Sequence, residues 1–181
     1  VDTVASTGVR GLRLYNLQFT GSGTGWAMNL AICFRSVFEN CVFVNKSTGG
    51  LQIVTGGGIT SRNCQFGGDT VPPAIGLAVG TAGGNFNNCL VEDNMIFGST
   101  DGFENHAYLS NQTVVRGNTI YGGTVGLVDH SAETNIVGLA FYVGNFISGT
   151  DAMDVTNSPA ARVIGNSVVN TTTGAKETAN S

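Results

Sequence analysis

Hydrophobic and polar positions along this chain alternate in short runs, without the three-and-four spacing of an amphipathic helix. Val91, Met95 and Phe97 in one run, and Val115, Thr119 and Tyr121 in another, sit in segments rich in β-branched and aromatic residues. That is the pattern of half-buried strands. Each run is organised around an asparagine, and the phrase recurs seven times. It reads LRLYN-LQF at Asn16, SVFEN-CVF at Asn40, TSRN-CQF at Asn63 and VEDN-MIF at Asn94, then VVRGN-TIY at Asn118, FYVGN-FIS at Asn145 and RVIGN-SVV at Asn166. Successive asparagines are 24, 23, 31, 24, 27 and 21 residues apart. A period in the twenties with elastic spacing predicts a solenoid, each repeat forming one coil stacked on the next.

A second strand signal, led mostly by glycine, falls in most repeats: GLQIV at 50–54, IGLAV at 75–79, GFENH at 102–106, GLVDH at 126–130 and AMDV at 152–155. Each coil therefore reads as three short strands and three turns, the longest interval absorbing an enlarged loop near Pro72 and Pro73. Asparagine tolerates the left-handed backbone region and bonds its own backbone, so it suits a tight corner between strands. One Asn per coil at one corner predicts a ladder of amides bonding up the stack and satisfying buried polar groups. Phe19, Phe43, Phe66, Phe97 and Tyr121 each follow their Asn by three residues. That spacing predicts one aromatic column supporting the fold. Leucine-rich, hexapeptide and calcium-binding nonapeptide arrays are set aside, because the repeated leucines, the six-residue rhythm and the GGxGxD phrase are missing.

Composition agrees with strands and turns: 27 glycines and only 11% charged residues among 181. The formal charge is −4 with no basic run, which argues against a nucleic-acid partner. No apolar stretch reaches the roughly 18–20 residues of a membrane span, so no membrane insertion is expected. The opening VDTVASTGVRG has neither an initiator Met nor a signal-peptide core and reads as a processed chain or a piece of a longer one. Cys33, Cys41, Cys64 and Cys89 show no zinc spacing, and no metal or cofactor is called for. Cys41 and Cys64, each following a repeat Asn, are expected to stack in neighbouring coils as small buried hydrophobes.

Outward positions of a solenoid form vertical columns, one residue per coil, so chemistry should align at one register. His106 and His130 each lie 12 residues after their coil's Asn, which predicts a shared column on adjacent coils. Around them gather Asp101, Glu104, Asn105, Asp129, Asp151 and Asp154. Glycoside hydrolysis needs a protonated carboxyl and a second carboxylate, and Glu104 with Asp129 or Asp154 supplies candidate pairs. Elimination or epimerisation of a uronic acid needs a base for the C5 proton and a group that neutralises the carboxylate. His106, His130, Tyr108 and Arg116 are of suitable type. The candidate catalytic residues are thus Glu104, His106, Asp129, His130 and Asp154, with Asp101, Asn105, Tyr108, Arg116 and Asp151 as substrate-binding candidates. The other arginines read as solvated surface. Trp26, the only tryptophan, reads as a core or subunit-contact residue ahead of a sugar platform.

Over residues 8–170 the repeats resemble the coils of the pectate lyase superfamily, which includes polysaccharide lyases, glycoside hydrolases, C5-epimerases and bacteriophage tailspikes. The resemblance implies an all-β, right-handed single-stranded parallel β-helix of about seven coils with an Asn ladder. It forms one domain over 1–181, in which 171–181 is a cap or loose tail. It also implies an extracellular or virion module that binds a polysaccharide or glycan and cleaves it, in the manner of a glycosidase or lyase. A homotrimer would be in keeping with a tailspike. The competing reading is a non-catalytic, glycan-binding or structural segment of a phage fibre or adhesin. More locally, Gly102-Phe103-Glu104-Asn105-His106 resembles the Gly-Phe-Asp-Pro-His strand of alginate C5-epimerases, which would make Glu104 and His106 catalytic. Gly126-Leu127-Val128 resembles the Gly-Phe-Val ahead of a further catalytic acid. There this chain has His130, with Asp129 one residue early.

Overall fold

The computed structural model describes residues 8–21, 23–45, 47–68, 72–81, 84–108, 110–130, 140–155, 158 and 161–170. The tail 171–181 lies outside the described residues. Seven coils follow one another. The first supplies β1 (Val9–Arg10), β2 (Arg13–Tyr15) and β3 (Gln18–Gly21). The second supplies β4 (Trp26–Phe34), β5 (Val37–Glu39) and β6 (Val42–Asn45), and the third β7 (Gly49–Gly57), β8 (Thr60–Arg62) and β9 (Gln65–Phe66). The fourth adds a short extra strand: β10 (Ile75–Val79), β11 (Phe86–Asn87), β12 (Leu90–Glu92) and β13 (Met95–Gly98). The fifth holds β14 (Asp101–Asn105), β15 (Thr113–Arg116) and β16 (Thr119–Gly122). The sixth holds β17 (Val125–Asp129), β18 (Ala140–Val143) and β19 (Phe146–Gly149), and the last β20 (Asp151–Asp154), β21 (Arg162–Ile164) and β22 (Ser167–Asn170).

Every pairing among them is parallel and joins one coil to the next. The first sheet runs β1-β4-β7-β10-β14-β17-β20, with β11 also on β7. The second runs β2-β5-β8-β12-β15-β18-β21, and the third β3-β6-β9-β13-β16-β19-β22. The chain is an all-β parallel solenoid, a β-helix. Among the described residues no helix is long and apolar enough to cross a membrane.

Two corners recur with a left-handed residue. Between the first and second sheets it is Gly11, Arg35, Gly58, Asn88 and Gln112. Between the second and third it is Asn16, Asn40 and Asn63 (φ 57°, 54° and 51°), then Asp93, Gly117, Gly144 and Gly165. The seven asparagines therefore do not share one position, which corrects the seven-rung ladder. In register with Asn94, Asn118, Asn145 and Asn166 stand Leu17, Cys41 and Cys64, one residue after the early asparagines.

What remains is a directional chain of four amides. Asn94 donates from its backbone N–H (2.9 Å) and Nδ2 (3.0 Å) to Asn118 Oδ1, and Asn118 does the same to Asn145 Oδ1 at 3.0 Å each. Asn145 repeats it to Asn166 Oδ1 at 2.8 and 2.9 Å. Upstream the same backbone position is met by Asn94 Oδ1 for Cys64 N–H (2.9 Å) and by Cys64 Sγ for Cys41 N–H (3.4 Å). All four cysteines are free and buried. Burial pushes the Cys64 thiol up to about 11 and the Cys89 thiol up to about 12, so both stay neutral packing groups.

The single aromatic column also separates into two. Phe19, Phe43 and Phe66 point inward and stack at 5.0 and 5.3 Å, continued by Ile96, Ile120 and Ile147. Phe97 and Tyr121 stack at 5.3 Å one position later, on the outside. Shifting register by one residue turns a strand inside out.

Candidate functional site

In the first sheet the strands enter the coil on glycine. Gly50, Gly76, Gly102 and Gly126 share one register, and a Cβ on Gly102 would lie 2.6 Å from the Gly126 carbonyl oxygen. The close approach turns both glycine and the following residue inward, so Asp101 and Glu104, three apart, both face outward. Asp101 aligns with Val125 and Asp151, and Glu104 with Val128 and Asp154. His106 and His130 leave the ends of β14 and β17 one above the other, their rings 5.5 Å apart at 76°.

The expected column of histidines is thus in place, and acids flank it. His106 Nε2 lies 3.3 Å from Glu104 Oε2, and His130 Nε2 lies 3.4 Å from Asp154 Oδ2. Asp101 is hydrogen-bonded to Glu104. Partial burial, together with that neighbouring carboxylate, pushes the Asp101 carboxyl up to about 7. Burial works to raise Glu104 as well, but the hydrogen bonds from His106 and Asp101 prevail and hold it below the usual carboxylate range. The bond to Glu104 lifts His106 above the ordinary imidazole range. One face thus holds in contact a carboxyl raised to about 7, a carboxylate held below its usual range and an imidazole held above its own, with the His130–Asp154 pair one to two rungs away.

Three expected members stand elsewhere. Asn105 and Asp129 alternate with the outward residues and point into the core, both fully buried. Tyr142 O–H donates to Asp129 Oδ2 at 2.7 Å, and Asn105 Nδ2 donates to Ser110 Oγ at 2.9 Å and Tyr142 Oη at 3.2 Å. Asn105 Oδ1 accepts Ala107 N–H at 3.1 Å, pinning the chain where His106 emerges. They brace the face from behind. Arg116 belongs to the second sheet, where it pairs with Glu92 at 2.6 Å in a column of alternating charge, Glu39, Arg62, Glu92 and Arg116. Tyr108 is exposed just beyond His106, its N–H bonded to Gly84 O. Among the described residues no three His, Cys, Asp or Glu side chains converge as a metal-binding group.

Fold and face together define a parallel β-helix with an acid–imidazole cluster on one sheet. No family model, no curated protein and no solved structure matches the chain. The residues themselves therefore carry the functional argument.

Proposed function

We propose that the chain is a carbohydrate-active β-helix module, working outside the cell or on a virion, whose first sheet hydrolyses a glycan laid along it. One observation carries this: Asp101 and Glu104, touching carboxyls whose pKa values are pushed apart, stand in register two rungs from Asp151 and Asp154 respectively. Two rungs of about 4.8 Å place the backbones of Asp101 and Asp151 about 9.6 Å apart. That backbone spacing lies near the carboxyl separation of inverting pairs, about 6.5–9.5 Å, and well beyond that of retaining pairs, about 5–5.5 Å. Asp101 gives its proton to the leaving oxygen. Asp151, on the strand that also carries Asp154 against His130, takes a proton from the attacking water, and Glu104 and His106 return a proton to Asp101.

The uronate elimination or epimerisation reading has His106 exposed beside Glu104 in its favour, its side chain 37% accessible. It lacks a cation to neutralise the sugar carboxylate: β4, β7, β10, β14, β17 and β20 contain no Lys or Arg, and His106 already faces Glu104. Turnover of a polysaccharide panel in 18O-water separates the chemistries. Hydrolysis labels each new reducing end, elimination leaves unlabelled unsaturated ends, and epimerisation leaves chain length unchanged. Loss of the label, or products unaffected by Asp101→Asn, removes the hydrolytic assignment.

A non-catalytic fibre segment is the second reading, and the third sheet favours it. Met95, Tyr121 and Phe146 are 49%, 40% and 37% exposed on adjoining rungs. In a homotrimer such a stripe would be covered. Sedimentation as a monomer, unchanged by Tyr121→Lys, would count against it.

A further inference from the structure

We infer that the glycan groove continues from the acid cluster to Trp26, and that its occupant is an uncharged sugar chain. The inference rests on the hydrolytic reading above. Trp26 is paired with Gly49, whose missing side chain is what makes room for the indole. A Cβ there would lie 2.1 Å from Cζ3 and 2.2 Å from Cε3 of that ring. The benzo edge therefore rests on the glycine backbone, on the outer surface of the first sheet rather than in the core. Gly49, Ile75 and Asp101 are in one register, so the indole platform and the proton donor are two rungs, about 9.6 Å, apart.

The surface between them is made for a polymer. In the column that ends at Glu104 stand Asn29, Gln52 and Ala78. Asn29 Oδ1 is buried beneath the surface, and Gln52 Nε2 donates to Thr81 Oγ1 at 3.1 Å. The Gln52 amide suits sugar hydroxyls, and Ile75 alone stands between Gly49 and Asp101 in the register of the platform. An aromatic face at one end of a polar strip is the arrangement that stacks a pyranose. Charge selects the sugar: Asp101, Glu104, Asp151 and Asp154 share this sheet with no Lys or Arg in its strands from β4 onward, so a polyuronate would meet its own sign.

Trp26 is the only tryptophan, so its emission reports the platform directly. The chain is titrated with hexamers and dimers of xylose, mannose and glucose, and with hexagalacturonate as the charged control. A neutral hexamer is expected to shift the emission saturably, while its dimer, too short to span from the acids to Trp26, leaves it unchanged. Trp26→Ala should raise KM for that hexamer about tenfold with little change in kcat, and Trp26→Phe should recover part of the loss. Hydrolysis with silent emission and an unaltered KM would overturn the platform and leave the hydrolase standing. Tighter binding of hexagalacturonate would overturn the neutral class. If no sugar binds or is cut, both readings fall.

Discussion

The first three coils and the last four answer the same steric problem at the second corner in different ways. Early on, Asn16, Asn40 and Asn63 themselves take the left-handed position, and the inward residue that follows is Leu17, Cys41 or Cys64. Later, Asp93 and three glycines take the turn, and the inward residue is an asparagine buried to within 1% at Asn94, Asn118 and Asn145. On the third sheet the early half turns stacked Phe rings inward, whereas the later half turns Phe97 and Tyr121 outward and holds hydrogen-bonded amides at the neighbouring corner. A coil needs only that each inward backbone N–H meets an acceptor from the next rung. A thiol does this weakly at 3.4 Å and an amide well at 2.9 Å. The titratable face belongs wholly to the half with the better-bonded corner.

The contrast breaks most visibly in activity. Asp101→Asn keeps the shape of the acid and removes its proton chemistry, so kcat on the glycan identified by the panel should fall by about 10²–10⁴-fold. Glu39→Gln changes an outward acid of the early half, where it pairs with Arg62 at 3.0 Å, and should leave turnover intact. Equal losses in the two variants would remove the functional difference between the halves.

Stability separates them next. Phe43 is fully buried between Phe19 and Phe66, so Phe43→Ala should cost about 3–5 kcal/mol in denaturant unfolding. Phe97→Ala removes a ring from the outer stack and should cost about 1 kcal/mol. A reversed order would mean that the two aromatic stacks have been assigned to the wrong sides.

A smaller effect tests the corner itself. Asn118→Ala strips the backbone and side-chain N–H groups of Asn94 of their shared acceptor and leaves Val91 O without its donor. The expected loss is about 3 kcal/mol. Cys64→Asn extends the ladder upstream, giving Cys41 N–H an amide acceptor in place of sulfur. That variant should stay within about 1 kcal/mol of the parent. If melting shows Cys64→Asn to be as damaging as Asn118→Ala, the two corners are not interchangeable.

Why did the asparagine spacing reveal the coil yet misplace it by one residue? Asparagine serves equally as a left-handed residue and as a ladder amide, so the same letter marked two adjacent positions. The signal that separates them was present: Gly117, Gly144 and Gly165 immediately precede their asparagines, whereas Tyr15, Glu39 and Arg62 precede the early ones. A glycine there takes the left-handed turn and moves the amide inward. Parity would likewise have sorted the site. Once Glu104, His106 and His130 face out, Asn105 and Asp129 must face in. The histidine column was legible because Asn94 and Asn118 do share a position. The Asp101–Glu104 contact was not, because it depends on the glycine irregularity at Gly102. The place of Trp26 was not legible for a similar reason: only the cross-coil register sets it on Gly49.

The subtlest test asks which group is the acid. Asp101 must carry its proton to act, and its carboxyl sits near 7, so activity should fall as pH rises through about 7. Glu104 raises that value by hydrogen bond and charge, while His106 lowers it by charge. Glu104→Gln should therefore move the alkaline limb of kcat/KM to lower pH, by about 1 unit or more. His106→Gln should move it the other way, because a nearby positive charge that favoured the ionised carboxyl is gone. If His106 were the donor, Glu104→Gln would also shift the limb downward, since Glu104 holds the imidazolium in its charged form. His106→Gln would then abolish the limb instead of raising it. The pH profiles of the two variants thus distinguish a carboxyl proton from an imidazolium proton at a site where both lie within one hydrogen-bonded chain.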